Sequence, residues 1–245
     1  MEFTWLSIAA ILIAASATVA GGFLILIRPK WSLHWLRISI SFGAGFMLAA
    51  AALAMIPESL KLTDNAPLFF LAGYLVIHFF EHTIVPHFHF GEETHPEIMV
   101  NPIVSYSSIF GMFIHTLFDG ISIGSGFLVS PVLGLLIFGA VVLHKLPEGF
   151  TISSIILASG RTPANAVFGS IILAVSTVLG ALIIGFFREA VSYSLPFSAG
   201  VTFYVAATDL VPIINETRRW RYSLSFFAGI LGFYLSDLAL SKLIG

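Results

Sequence analysis

The chain is a succession of apolar stretches, each about twenty residues long, parted by short polar breaks. A helical stretch of that length matches the roughly 30 Å hydrocarbon core of a bilayer, where a backbone must satisfy its own hydrogen bonds. The pattern predicts an all-α integral membrane protein. Of its 245 residues, 58% are hydrophobic and 10% charged, and the mean hydropathy of +0.98 exceeds what a water-soluble core of this size needs. The apolar runs place eight transmembrane helices near 4–27, 36–57, 68–88, 103–127, 131–158, 164–187, 196–214 and 222–244. The longest connection, about 89–102, is too short to bury a core of its own. Residues 1–245 therefore read as a single transmembrane domain with one short histidine-containing loop. The first run has no basic leader and no convincing cleavage site, so it reads as a retained helix rather than a signal peptide.

Orientation follows from the basic residues. One set of connections carries Arg28, Lys30, Arg37, Arg161, Arg218, Arg219 and Arg221, whereas the opposite side carries Lys61, Arg188 and Lys242. The richer set marks the cytoplasm and puts both termini outside, with the cell (inner) membrane as the expected location. A formal net charge of −2 gives no basis for a nucleic-acid partner. The absence of cysteine excludes disulfides and thiolate ligands.

Two segments break the apolar pattern in the same way. His115-Thr-Leu-Phe-Asp119-Gly120 and His144-Lys-Leu-Pro-Glu148-Gly149 each set a histidine and a carboxylate four residues apart, on one face of a helix. An ionised carboxylate at mid-membrane costs on the order of 2.5–3.5 kcal/mol on the mildest insertion scale. The turn at Val129-Ser130-Pro131 lies about fourteen residues after His115 and about fourteen before His144, so at a rise of ~1.5 Å per residue both histidines sit roughly 21 Å from it. Four ligand-type side chains thus reach one depth on antiparallel neighbours. Two neutral imidazoles and two carboxylates suit a borderline divalent cation such as zinc, whose charge cancels theirs. Two buried His–carboxylate pairs holding helices together would explain neither the repetition nor the matched depth. Pro147 removes a backbone donor and loosens the helix between His144 and Glu148.

A second echo surrounds the first. Ala44-Gly45 precedes Pro57 as Ala199-Gly200 precedes Pro212, and Ala72-Gly73 is matched by Ala228-Gly229. The offset spans five helices and reverses membrane orientation. The expected arrangement is an inverted repeat, spans 1–3 against 6–8 around a central pair 4–5, which lets one architecture open to either side of a midplane site.

These motifs resemble the ZIP (Zrt/Irt-like protein) divalent-metal transporters, whose fourth span typically reads His-Asn-Phe-x-[Asp/Glu]-Gly and whose fifth reads His-[Glu/Asn]-Ile-Pro-[Glu/His]. This chain has HTLFDGISIG and HKLPEGFTI in those places. The resemblance covers most of the chain, including external termini, a histidine-bearing cytoplasmic loop after span three, and spans two and seven that end at proline. It implies a ZIP-type fold, a homodimer, and uptake of zinc or related ions (Fe2+, Mn2+, Co2+, Cd2+) as substrate rather than cofactor, by movement of one helix group against another. It also implies that His115, Asp119, His144 and Glu148 are the primary transport ligands. Met47 matches a place in span two where some members supply a thioether, although a core methionine fits the same pattern. Where many members build a second metal site, this chain has Thr116 and Lys145. A protonated lysine cannot ligate a metal, so Lys145 reads as a substitute for a second cation's charge beside Asp119 or Glu148.

Five of the eight histidines fall between 78 and 95. His78, Glu81 and His82 share one helix face, followed by His87, His89 and His95, and together they suggest a cytoplasmic release path of weak ligands or simply a wet helix end and loop. Glu92, Glu93 and Glu97 fit either reading. Glu58 and Asp64 stand near the external end of span two, where they could attract cations; Asp209 and Asp237 lie deeper, with helix packing the favoured reading. An intramembrane zinc protease would usually carry His-Glu-x-x-His, which the sequence lacks. A proton- or sodium-coupled carrier could use Asp119, Glu148 and Lys145 but would leave both motif histidines idle. No enzyme activity is expected.

Overall fold

The computed structural model describes residues 4–27, 33–84, 102–216 and 219–244. Every regular element among them is helical. Helix α1 spans Trp5–Ile27. Helix α2 (Leu33–Ala49) passes through a π-helical segment, Ala50–Met55, into α3 (Ile56–Leu62), and α4 (Ala66–Phe79) passes into a second, Phe80–Ile84. The long helices α5 (Pro102–Val129), α6 (Pro131–Ala158) and α7 (Pro163–Phe186) follow. After a 3-10 turn at Arg188–Ala190, α8 (Val191–Tyr204) runs through a π segment at Val205–Leu210 into α9 (Val211–Glu216), and α10 covers Trp220–Ile244.

Local chemistry sets these boundaries. Ser130 and Thr162 each cap a helix that starts with proline, their hydroxyls accepting from the amides of Leu133 at 3.1 Å and Asn165 at 3.3 Å. At the far end of α6, Gly160 adopts φ +77° while its N–H and that of Arg161 donate to the carbonyls of Leu157 and Ile156. The proline expectation is corrected: neither Pro57 nor Pro212 ends its helix. Each follows a π segment, whose wider turn accommodates the missing donor and the ring's clash with the preceding turn, and the helix continues to Leu62 and Glu216.

Six helices among the described residues are long and apolar enough to cross a membrane: Trp5–Ile27, His34–Leu62, Ile109–Val129, Pro131–Ala158, Pro163–Phe186 and Trp220–Ile244. Their outward faces carry large apolar side chains such as Leu12, Phe168 and Leu231, as lipid contact requires. Polar atoms turn inward: Ser153 donates to the Ala166 carbonyl at 3.0 Å, Ser176 to that of Phe113 at 2.6 Å, and Ser225 to that of Ile38 at 2.8 Å, each tying two helices.

Helices pair through glycine. Helix α1 lies so close to α6 that a Cβ on Gly21 would overlap the Leu146 carbonyl, and one on Gly149 the Thr18 carbonyl. The same reciprocal fit joins α5 to α7 (Gly120 on Thr177, Gly180 on Leu117), α2 to α10 (Gly45 on Phe226, Gly229 on Phe42) and α4 to α8 (Gly73 on Phe197, Gly200 on Phe70). Helices α1, α5, α6 and α7 form one mutually packed group, with α2 resting on α6 and α8 on α5. Gly120 and Gly149 directly follow Asp119 and Glu148, so the close approaches that fix α5 and α6 also fix their carboxylates.

Candidate metal centre

The turn at Ser130 folds α5 back along α6, and the register sets the two histidine–carboxylate motifs side by side. His115, Asp119, His144 and Glu148 are all buried, and one ligand atom from each lies within 4.8 Å of the others. Asp119 Oδ2 is 3.3 Å from Nε2 of both histidines; Glu148 Oε2 is 3.8 Å from both. A tetrahedral zinc ion with bonds of about 2.0–2.1 Å spaces its ligand atoms roughly 3.3 Å apart. The four nitrogen–oxygen separations therefore need close by at most about half an ångström around such an ion.

The orientation of His144 also suits a cation. Its Nδ1 lies 3.1 Å from the Ala140 carbonyl oxygen, one turn back on α6. A carbonyl only accepts, so with the proton on Nδ1 a neutral imidazole presents its Nε2 lone pair to the site. That lone pair faces the lone pairs of Asp119 Oδ2. A cation between them turns an unfavourable juxtaposition into coordination.

Lys145 is the fifth charged or ligand-type group. Its side chain is completely buried, with Nζ 2.8 Å from Asp119 Oδ2 and 2.9 and 3.1 Å from the two oxygens of Glu148. It touches both carboxylates rather than one, and it does not reach an interface. Thr116, also buried, turns its hydroxyl back to the Phe113 carbonyl at 3.1 Å.

A family model described as ZIP Zinc transporter matches residues 87–236. The chain belongs to that family. Relatives of this ZIP chain include Zinc transporter YKE4 of Saccharomyces cerevisiae, 25% identical over 82% of the chain and 71% of the yeast protein. Zinc transporter zipt-7.2 of Caenorhabditis elegans is 25% identical over 56% of the chain, and human Zinc transporter ZIP4 is 28% identical over 60%. The chain spans 31% of the nematode protein and 23% of the human one. ZIP membership and the six apolar helices identify it as a membrane protein.

The other His, Asp and Glu residues among those described fall outside this four-ligand group. Met47 is fully buried within the larger apolar cluster. The rings of His78 and His82 sit 4.2 Å apart, and His82 Nδ1 approaches the His78 carbonyl at 3.0 Å. Glu81 instead lies beside Tyr204 and Asp209, bringing the π segments of residues 80–84 and 205–210 together. That cross-helix cluster was not legible in the spacing of either segment, because it joins residues more than a hundred positions apart. Glu58 forms an exposed 2.6 Å pair with Lys61, and Asp237 accepts from Ser241 at 3.4 Å. His87, His89, His95, Glu92, Glu93 and Glu97 lie outside the described residues, as do Arg28, Lys30 and Arg218.

Proposed function

We propose that this ZIP chain carries divalent transition-metal ions, zinc foremost, across a membrane toward the cytoplasm, with His115, Asp119, His144 and Glu148 as the transport ligands. The observation that carries this reading is the convergence of two imidazole nitrogens and two carboxylate oxygens at tetrahedral spacing inside a membrane protein. The relatives, each named a zinc transporter, support zinc as substrate. The chain acts as a transporter rather than an enzyme, and the ion passes through as cargo.

Residues 1–245 form one transmembrane domain of eight spans, the six apolar helices together with the helical segments 66–84 and 191–216. Spans 1–3 and 6–8 are inverted repeats around the pair α5 and α6. Three features support the repeat. Gly45 and Gly200, the π segments at 50–55 and 205–210, and Pro57 and Pro212 are each separated by 155 positions. The reciprocal glycine contacts of α1 with α6 are matched by those of α7 with α5. Those of α2 with α10 are likewise matched by those of α8 with α4. Alternating access then moves the group α1, α5, α6 and α7, which holds the ligands, against α2, α4, α8 and α10. Both termini face outward from the cell (inner) membrane, and two copies pair as a homodimer.

The test is flux into proteoliposomes holding the purified chain and a pH probe, with zinc, iron, manganese, cobalt and cadmium offered in turn. Zinc is expected to accumulate inside. If none of the five enters faster than into protein-free vesicles, while a sodium or proton gradient is dissipated, the carrier without a transition metal is correct instead.

His78, Glu81, His82, His87 and His89 form a cytoplasmic release path that tunes the rate without being obligatory. Replacing His87, His89 and His95 together by serine is expected to leave measurable zinc uptake. Complete loss with normal expression would make the loop part of the essential path.

A further inference from the structure

The oxygens that face the two histidines are the same oxygens that hold Lys145. Asp119 Oδ2 lies 3.3 Å from His115 Nε2 and from His144 Nε2, and 2.8 Å from Lys145 Nζ. Glu148 Oε2 lies 3.8 Å from both histidines and 2.9 Å from Nζ. An ammonium offers only donors, so it and a divalent ion compete for one set of lone pairs. An ion bonded to Asp119 Oδ2 at about 2.0–2.2 Å would stand no more than about 5 Å from Nζ, in surroundings that screen charge poorly.

We propose that Lys145 is the resident counter-ion of the transport site: it offsets one of the two negative charges of Asp119 and Glu148 when the site is empty, limits loading to one divalent ion, and speeds release by reclaiming the same oxygens.

The charges set out the consequence. Two carboxylates and one ammonium give the empty site −1, and a single divalent ion brings it to +1. Without the lysine the values would be −2 and 0: a tighter trap for metal and a costlier empty state, with two adjacent like charges facing each other in hydrocarbon. A second divalent ion would raise the lysine-containing site to +3. Lys145 thus gives up affinity and keeps the net charge of the empty and loaded sites equal in magnitude, −1 and +1, so neither is strongly favoured as the carrier cycles. Its stem is buried and bonded at three distances of 2.8, 2.9 and 3.1 Å, so the ammonium is held on the carboxylates rather than sampling them.

This inference rests on the transport reading, and its test separates the two. Purified wild type, Lys145→Met, Lys145→Gln and Lys145→Arg are titrated with zinc, metal per chain is counted by elemental analysis, and zinc uptake is measured in proteoliposomes. Wild type is expected to bind one ion at this centre. Lys145→Met and Lys145→Gln should bind zinc at least tenfold more tightly, with KM and maximal uptake both falling, whereas Lys145→Arg, which keeps the positive charge, should show no such gain in affinity. Two neutral variants guard against one failing to fold, and the wild-type stoichiometry is independent of both. Affinity unchanged or weakened in the folded neutral variants, or two ions in the wild-type centre, would overturn the proposal while leaving transport intact. Wild type that neither binds nor carries any metal would instead overturn the transport reading.

Discussion

Alanine at His144 or at Glu148 is expected to reduce zinc uptake at least about 100-fold while leaving folded protein in the membrane. Disturbing a partner of a metal ligand typically costs 10–100-fold in affinity or activity, and deleting a ligand should cost no less. In His144→Ala the Ala140 carbonyl loses the imidazole but keeps the helical N–H of residue 144, and both carboxylates lose a facing nitrogen. In Glu148→Ala the ammonium of Lys145 keeps its 2.8 Å bond to Asp119, so the buried charge is not stranded. Neither side chain supplies the contacts that hold α5 and α6 to their neighbours, which run through Gly120, Gly149, Gly21 and Gly180. Uptake is measured against the amount of monodisperse protein recovered in detergent. Near-normal zinc uptake by both variants would move the transport site away from this cluster. Loss of monodisperse protein in parallel with uptake would instead make the cluster a packing device.

Both motifs were legible in the sequence because their chemistry is local. A histidine and a carboxylate four residues apart share a helix face whatever surrounds them, and the Ser130-Pro131 start of α6 is a cap signal that fixes where the chain reverses. The matched depth of His115 and His144 follows from those two facts alone. What stayed hidden depends on neighbours distant in sequence. The spacing of Lys145 puts Glu148 within reach, but its second bond, to Asp119, depends on how α5 lies against α6. Pro57 and Pro212 suggested helix ends because a proline removes a donor; the π segments before them accommodate that loss, and no local propensity marks where a helix will widen. The pairing of Glu81 with Asp209 and Tyr204 needs the packing of α4 on α8, which the Ala-Gly echoes hinted at without indicating which helices they join.

Glycine to alanine should have opposite effects at two helical positions, and the sign is set by what the new methyl group meets. Within a helix, alanine is favoured over glycine by about 0.5–1 kcal/mol because it loses less backbone entropy. At Gly43 in α2, a Cβ would find the Leu143 Cβ at 3.6 Å, an ordinary contact. Gly43→Ala is therefore expected to melt at or slightly above wild type. At Gly149 in α6, the same atom would overlap the Thr18 carbonyl of α1 and lie 2.7 Å from its carbon. Both are backbone atoms, so no rotamer change can relieve the clash. The helices must move apart by about an ångström, and overpacking of this kind costs about 1–3 kcal/mol or more. The steric cost outweighs the propensity gain by about 1–2 kcal/mol, and at 2–4 °C per kcal/mol for a chain of this size Gly149→Ala should melt about 2–8 °C below wild type. Because Glu148 precedes Gly149, the shift also displaces its carboxylate, with His144, relative to His115 and Asp119 on α5, so zinc affinity falls with stability. Thermal melting and zinc titration of the two purified variants check both effects. A Gly149→Ala protein as stable as Gly43→Ala would mean that the close approach of α1 and α6 does not govern the geometry of the site.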